Sequence, residues 1–341
     1  MPAMNKLASA EVVWLNGPGQ LEIRREPLPA LRPNDLLCST LVSAISPGTE
    51  LAAFKGLPPL RPGVIYPRLL GYCNVAQVKA IGSEVMGFAP DDRVLSFMSH
   101  RSAFVLPQDQ VLYKLPDSAD ANQLACTYLF HLGYNAILRS GVRAGSRVLV
   151  IGLGALGLTT VAASALAGAT TFALSDQSAS AAIAARFGAQ ATVSRAELTE
   201  LEKALVPGMA DVVVVTTNSW ADWNTALRLA AQRGTIAVLG FPGRGEESPA
   251  TNPLDSQYFY MKQLRIEAVG MSPELPDSRG FGRFNERANL DYLAHQIMSG
   301  RLDPSPLLSG RFKGQDIAQA YETLLARRSS AITCVLQWNK V

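Results

Sequence analysis

The stretch that most constrains this chain runs from Arg147 to Asp176: RVLVIGLGALGLTTVAASALAGATTFALSD. Val148 to Ile151 is a short apolar run of the kind a buried parallel strand makes. Gly152, Leu153, Gly154, Ala155, Leu156 and Gly157 follow at once, and an Ala-rich segment without proline then reaches Gly168. A second apolar run, Thr171 to Leu174, closes on Ser175-Asp176. The order is strand, glycine turn, helix, strand, acid. Gly152 permits a tight turn, Gly154 lets backbone approach a pyrophosphate, and Gly157 lets the helix pack close on the strand. The helix N-terminus offers N–H groups and a positive dipole end to phosphate. A carboxylate at Asp176 suits the two hydroxyls of an adenosine ribose. Gln177 to Ala181 brings no Lys or Arg toward a 2′-phosphate, and the next basic residue along the chain is Arg186. The expectation is a dinucleotide site that prefers NAD(H) to NADP(H), with further contacts from Thr216, Gly240, Phe241 and Met271.

A chain of 341 residues exceeds a comfortable single core, so two domains are expected. Charged residues make up 17% and the net charge is +3, with both signs mixed and no basic stripe. That excludes a nucleic-acid partner as an expectation. Met1 to Ala10 holds no signal-peptide core, and no run reaches the roughly 18 apolar residues of a membrane helix. Cys38, Cys73, Cys126 and Cys334 are scattered without a CxxC, which suits reduced thiols and a cytoplasmic protein acting on a small molecule.

Residues 11 to 115 read as short strands parted by turn clusters such as Asn16-Gly17-Pro18-Gly19, a barrel-like pattern. Asp35 to Ile45 is a long strand that Ser46-Pro47-Gly48-Thr49-Glu50 breaks. Ala119 to Arg139 turns helical. After Asp176 the alternation continues: helix Ala179 to Phe187, strand Asp211 to Val215, helix Trp220 to Gln232, strand Thr235 to Leu239, strand Leu264 to Val269. Such alternation predicts a doubly wound parallel sheet, an α/β architecture. The last strand, Ala331 to Trp338, is expected to return to the first domain. The domains are therefore 1–120 with 275–341, and 121–274.

With Pro90-Asp91-Asp92-Arg93-Val94, Ala144 to Gly152 and Ser299-Gly300-Arg301-Leu302, this order resembles the medium-chain dehydrogenase/reductase superfamily, the alcohol dehydrogenase group. The resemblance covers essentially the whole chain. It implies a Rossmann domain plus a GroES-like β-barrel domain, and a homodimer through the last strand of the Rossmann sheet near Ile266 to Val269. It also implies hydride transfer between a nicotinamide and a secondary alcohol or ketone.

The departures bear on metal. Where zinc members carry Cys-x-Thr/Ser-Asp, this chain has Pro47-Gly48-Thr49-Glu50. Where they carry Gly-His-Glu it has Gly71-Tyr72-Cys73, and their third ligand falls near Tyr128. The four-cysteine lobe has no counterpart after Val94. No zinc is expected, and a site improvised from Cys73, His131 and Glu50 is the alternative. Ser46 to Glu50 followed by Gly71-Tyr72 is similar to a zinc-free branch that includes bacteriochlorophyllide hydroxyethyl dehydrogenase. Without zinc the developing alkoxide needs proton donors. The candidates are Thr49, matching the family's relay hydroxyl, then Tyr72, Tyr128 and His131, with Ser46 and Glu50 supporting them. Two other functions fit the same residues: reduction of an activated C=C bond, and nucleotide binding without catalysis.

Overall fold

A computed structural model describes residues 8–58, 63, 65–205, 209–270, 272, 282–326 and 330–338. They fall into two compact units, Met1–Tyr128 with Arg287–Val341, and Leu129–Glu286.

The first unit begins with β1 (Ser9–Leu15), β2 (Leu21–Pro27), β3 (Asp35–Ala44), α1 (Pro47–Phe54) and β4 (Arg68–Leu69). It continues with β5 (Cys73–Ile81), β6 (Arg93–Ser96), β7 (Ala103–Pro107), β8 (Tyr113–Leu115), α2 (Ala121–Leu124) and the start of α3 (Thr127–Arg139). β2, β1 and β4 form one antiparallel sheet. The larger sheet, completed below, is built on β3, whose ten residues pair with β5 and β7. Alternate residues such as Leu36 and Cys38 pack with Val78, Val94, Phe104 and Leu106. Each fully buried aliphatic side chain of this kind contributes about 1.5–3 kcal/mol.

Ser46 to Glu50 ends β3, as the sequence predicts, and does so by opening a helix. Pro47 opens α1 at a position where a missing N–H costs nothing, so the proline starts a helix rather than forbidding one. The single helix expected over Ala119 to Arg139 is likewise two, α2 and α3, parted at Ala125-Cys126.

The second unit holds β9 (Arg147–Ile151), α4 (Ala155–Leu166), β10 (Thr170–Leu174), α5 (Ser178–Arg186), β11 (Ala189–Val193) and α6 (Leu198–Leu205). β12 (Ala210–Val215), α7 (Trp220–Leu229), β13 (Ala230–Val238) and β14 (Arg265–Ala268) follow. The six strands are all parallel, in the order β11-β10-β9-β12-β13-β14. The order reverses between β9 and β12. In such sheets a ligand lies beyond the strands' C-terminal ends at that reversal. The glycine turn leaves β9 there.

Three features differ from the sequence reading. α7 stops at Leu229, and β13 begins at Ala230 without a loop. Arg233 takes a φ of 60° where the β12–β13 register shifts, so Gly234 belongs to an irregular strand instead of a helix end. β11 and α6 were not anticipated. β11 reads AQATV, without a buried residue at the sheet edge, so neither an apolar run nor a clear alternation signals a strand.

The chain then returns to the first unit through α8 (Glu286–Met298), β15 (Leu308–Lys313), α9 (Ile317–Leu325) and β16 (Thr333–Gln337). β16 pairs with β3, and Tyr321 and Trp338 fill the core with Val13, Leu15, Ile45 and Leu70. The units change over at 128/129 and 286/287, later than the expected 120/121 and 274/275. Among the described residues no helix is long and apolar enough to cross a membrane.

Candidate active site

In the first unit the site grows from the junction of β3 and α1. The Ser46 N–H donates to Glu50 Oε1 at 2.6 Å, so the helix's own first-turn carboxylate satisfies the strand end. Glu50 Oε2 accepts from His100 Nε2 at 2.9 Å and from the Tyr321 hydroxyl at 2.7 Å. His100 Nδ1 lies 2.7 Å from Ser43 Oγ, which accepts the Trp338 indole N–H at 2.9 Å. The Glu50 carboxylate accepts from Nε2, so Nε2 carries a proton. Glu50, His100, Ser43 and Tyr321 are all buried.

Tyr72 is built onto this frame. Its hydroxyl donates to Ser46 Oγ and lies 3.5 Å from Thr49 Oγ1. Burial, then the neighbouring Cys73, pushes its phenol well above the ordinary tyrosine range, so it stays a donor. Its ring meets Tyr128 edge-on at 5.3 Å, and Tyr128 meets Phe97 edge-on at 4.9 Å. The structure thus joins Ser46, Thr49 and Tyr72 by hydroxyls and brings in Tyr128 by its ring.

Zinc does not fit this donor set. Pro47 offers no ligand atom, and Glu50 already accepts three protein donors. Burial raises the Cys73 thiol well above its ordinary range, and Glu50 and Cys126 raise it further. Among the described residues no three His, Cys, Asp or Glu side chains group so as to hold a metal.

In the second unit Gly152 has a φ of 90°, and a Cβ there would stand 2.5 Å from Thr217 Cγ2. Thr216 Oγ1 donates to the carbonyls of Ile151 and Gly152 at 2.9 and 3.0 Å, pinning the turn. A Cβ on Gly157 would come within 1.8 Å of the Gly152 oxygen, so only glycine lets α4 start this close. A Cβ on Gly240 would lie 2.5 Å from the Thr216 backbone. A Cβ on Gly154 would meet nothing within 4 Å, and no side chain caps the helix behind it. Leu153 and Ala155 point inward and Leu156 is half-buried, so what the turn presents is backbone N–H. Phe241, 42% exposed, donates its N–H to Asn218 Oδ1 at 3.3 Å. Met271 lies outside the described residues.

Asp176 ends β10 as expected, but it is not clear of basic residues. Its Oδ1 accepts the Arg195 N–H at 2.8 Å and its Oδ2 accepts Arg195 Nη1 at 2.7 Å. These bonds, the backbone one foremost, hold the carboxyl below its ordinary range. Arg195 follows β11, a strand the sequence does not disclose, and this base lies beyond Arg186 along the chain. His131, on α3, belongs to this unit. It is buried, lies 3.3 Å from Ser272 Oγ, and is pushed down to about 4 by burial. Ser272 donates to Asn135 Oδ1 at 3.0 Å, and Asn135 Nδ2 donates to the Val269 carbonyl at 2.9 Å.

The family model described as zinc-binding dehydrogenase matches residues 155–278. An uncharacterised zinc-type alcohol dehydrogenase-like protein of Escherichia coli is 23% identical, over 95% of this chain and 97% of its own length. Over nearly its whole length the chain is thus similar to zinc-type alcohol dehydrogenases. Solved structures agree in fold. An Escherichia coli oxidoreductase/dehydrogenase of unknown specificity superposes with a TM-score of 0.81 at 20% identity, over 97% of this chain and 100% of the other. A zinc-binding-dehydrogenase-type protein of Sinorhizobium meliloti 1021 bound to NADP gives 0.78 at 22%, over 96% and 99%. The two units thus have the fold of a GroES-like β domain and a Rossmann domain. His100, Tyr321 and Arg195 were not singled out from the sequence. Each reaches its partner across the fold, which no local motif encodes.

Proposed function

We propose that this dehydrogenase interconverts a secondary alcohol and a ketone with a nicotinamide dinucleotide, NAD(H) in preference to NADP(H), and without zinc. Tyr72 carries the reading: a half-buried tyrosine, its phenol held protonated and hydrogen-bonded to Ser46 beside Thr49, stands where zinc-type relatives place a ligand. The Gly152 to Gly157 turn, Thr216 and Gly240 would hold the pyrophosphate, and Asp176 the ribose. When bound, the nicotinamide supplies or accepts the hydride. Tyr72 would turn its O–H from Ser46 to hydrogen-bond the oxygen that gains charge as the carbonyl is reduced, and the alkoxide would take its proton from solvent. Ser46 fixes the phenol's direction, and Glu50 fixes Ser46. Burial keeps water from competing for the phenol and strengthens its hydrogen bond. Tyr128 packs the Tyr72 ring in place.

The test is a panel of secondary alcohols, ketones and enones followed at the nicotinamide absorbance band with both coenzymes. Turnover of an alcohol–ketone pair is expected. Turnover of enones alone would move the reaction to C=C reduction, and nucleotide binding with no turnover would make the protein a nucleotide-binding module.

A further inference from the structure

We propose that the cleft between α7 and the 251–258 segment is a second small-molecule site, built for an uncharged, hydroxyl-rich ligand such as a polyol or a sugar. The cleft holds about 400 Å³, within the range of small-molecule sites. None of the residues lining it belongs to the glycine turn or to the Tyr72 cluster. Its floor is Leu227, fully buried, and Leu198, both part of the core beneath the parallel sheet. The loop opposite is tied down on α7. The Trp223 indole N–H donates to the Pro253 carbonyl at 2.6 Å, and Asn224 Nδ2 donates to Thr251 Oγ1 at 3.0 Å. The walls are therefore set before a ligand arrives.

The rim carries both kinds of hydrogen-bonding group with capacity to spare. Asp255 Oδ1 accepts the Gln257 N–H at 2.8 Å, which leaves Oδ2 as an acceptor. Asn224 spends its amide on Thr251, which leaves Oδ1. Asn252 Oδ1 accepts the Leu254 N–H at 2.9 Å, which leaves Nδ2 as a donor. Asp255 would repel an anion. Arg228, which also lines the cleft and pairs with Glu202 at 3.3 Å, would repel a cation. A hydroxyl gives its proton to Asp255 or Asn224 and takes one from Asn252. The C–H face of a polyol or sugar would rest on Leu198 and Leu227.

Saturation-transfer NMR titration of the full chain tests this, without coenzyme so that nothing is turned over. Sorbitol and myo-inositol are the probes, 2-butanol the single-hydroxyl control and L-threonine the zwitterionic one. Both polyols should bind saturably with millimolar affinity, more tightly than either control. Asp255→Asn keeps the Oδ1 bond to Gln257 and removes the free acceptor, so polyol affinity should fall by about tenfold. Thr225→Trp fills the cleft from α7 and should abolish binding. Tyr72→Phe should leave it unchanged. No saturable transfer to either polyol would overturn the site, as would equal or tighter binding of 2-butanol or L-threonine. A signal that survives Asp255→Asn and Thr225→Trp, or that is lost in Tyr72→Phe, would overturn it equally.

Discussion

The His100 imidazole occupies the space a side chain at position 71 would need: a Cβ on Gly71 would stand 2.6 Å from His100 Nε2. Gly71 also has a φ of 83°, a conformation that L side chains rarely adopt. His100 cannot step aside without breaking its bonds to Glu50 and Ser43. Gly71→Ala should therefore destabilise the first unit by about 2–4 kcal/mol, measured by urea unfolding. A loss under about 0.5 kcal/mol, the level of an ordinary surface change, would contradict this packing.

Glu50→Gln tests the same network from the acid side. Both carboxylate oxygens face donors, so the amide NH2 must confront one of them at either end. A loss of about 2–4 kcal/mol is expected. An unchanged midpoint in urea would mean that the three bonds contribute nothing net.

Tyr72→Phe removes one hydroxyl at nearly constant volume. Turnover should fall on the order of a hundredfold, with nucleotide affinity unchanged. Ser46→Ala should act in the same direction by freeing the phenol to rotate, and Thr49→Val should cost less, being 3.5 Å away. Wild-type turnover in Tyr72→Phe would assign the ring to packing.

His131 gives the Rossmann unit a stability term that depends on pH. Its pKa is pushed from an ordinary 6.5 down to about 4 by burial. Below pH 6.5 the unfolded chain takes up a proton that the folded chain refuses until about pH 4. Stability is therefore present at neutral pH, is lost as pH falls through that window, and changes no further below it. Between pH 7 and pH 5 the term is about 2 kcal/mol. His131→Asn should flatten the wild-type slope by that amount in unfolding curves at the two pH values. Equal slopes would mean that the imidazole titrates normally.

The parts legible in the sequence were those written locally. The glycine turn, β9, α4 and β10 follow from periodicity and from glycines whose absent Cβ atoms matter within a few residues. Asp176 was legible for the same reason. Arg195 was not, because it arrives on the far side of an Ala-rich edge strand, and its salt bridges to Asp176 and Asp222 depend on sheet order. The hydroxyls of Ser46, Thr49 and Tyr72 were visible as departures from a metal motif. The Glu50–His100 pair behind them joins α1 to a loop between β6 and β7, and only the folded barrel brings the two together.

In the proposed reaction a hydrogen-bonded tyrosine, rather than a metal, stabilises the oxygen that gains charge. The direct measurement is elemental analysis of protein purified without chelator, paired with turnover before and after dialysis against a strong chelator. Well under one equivalent of zinc per chain is expected, with the same turnover on both sides of the dialysis. About one equivalent of zinc, with activity lost on chelation and restored by zinc alone, would contradict it.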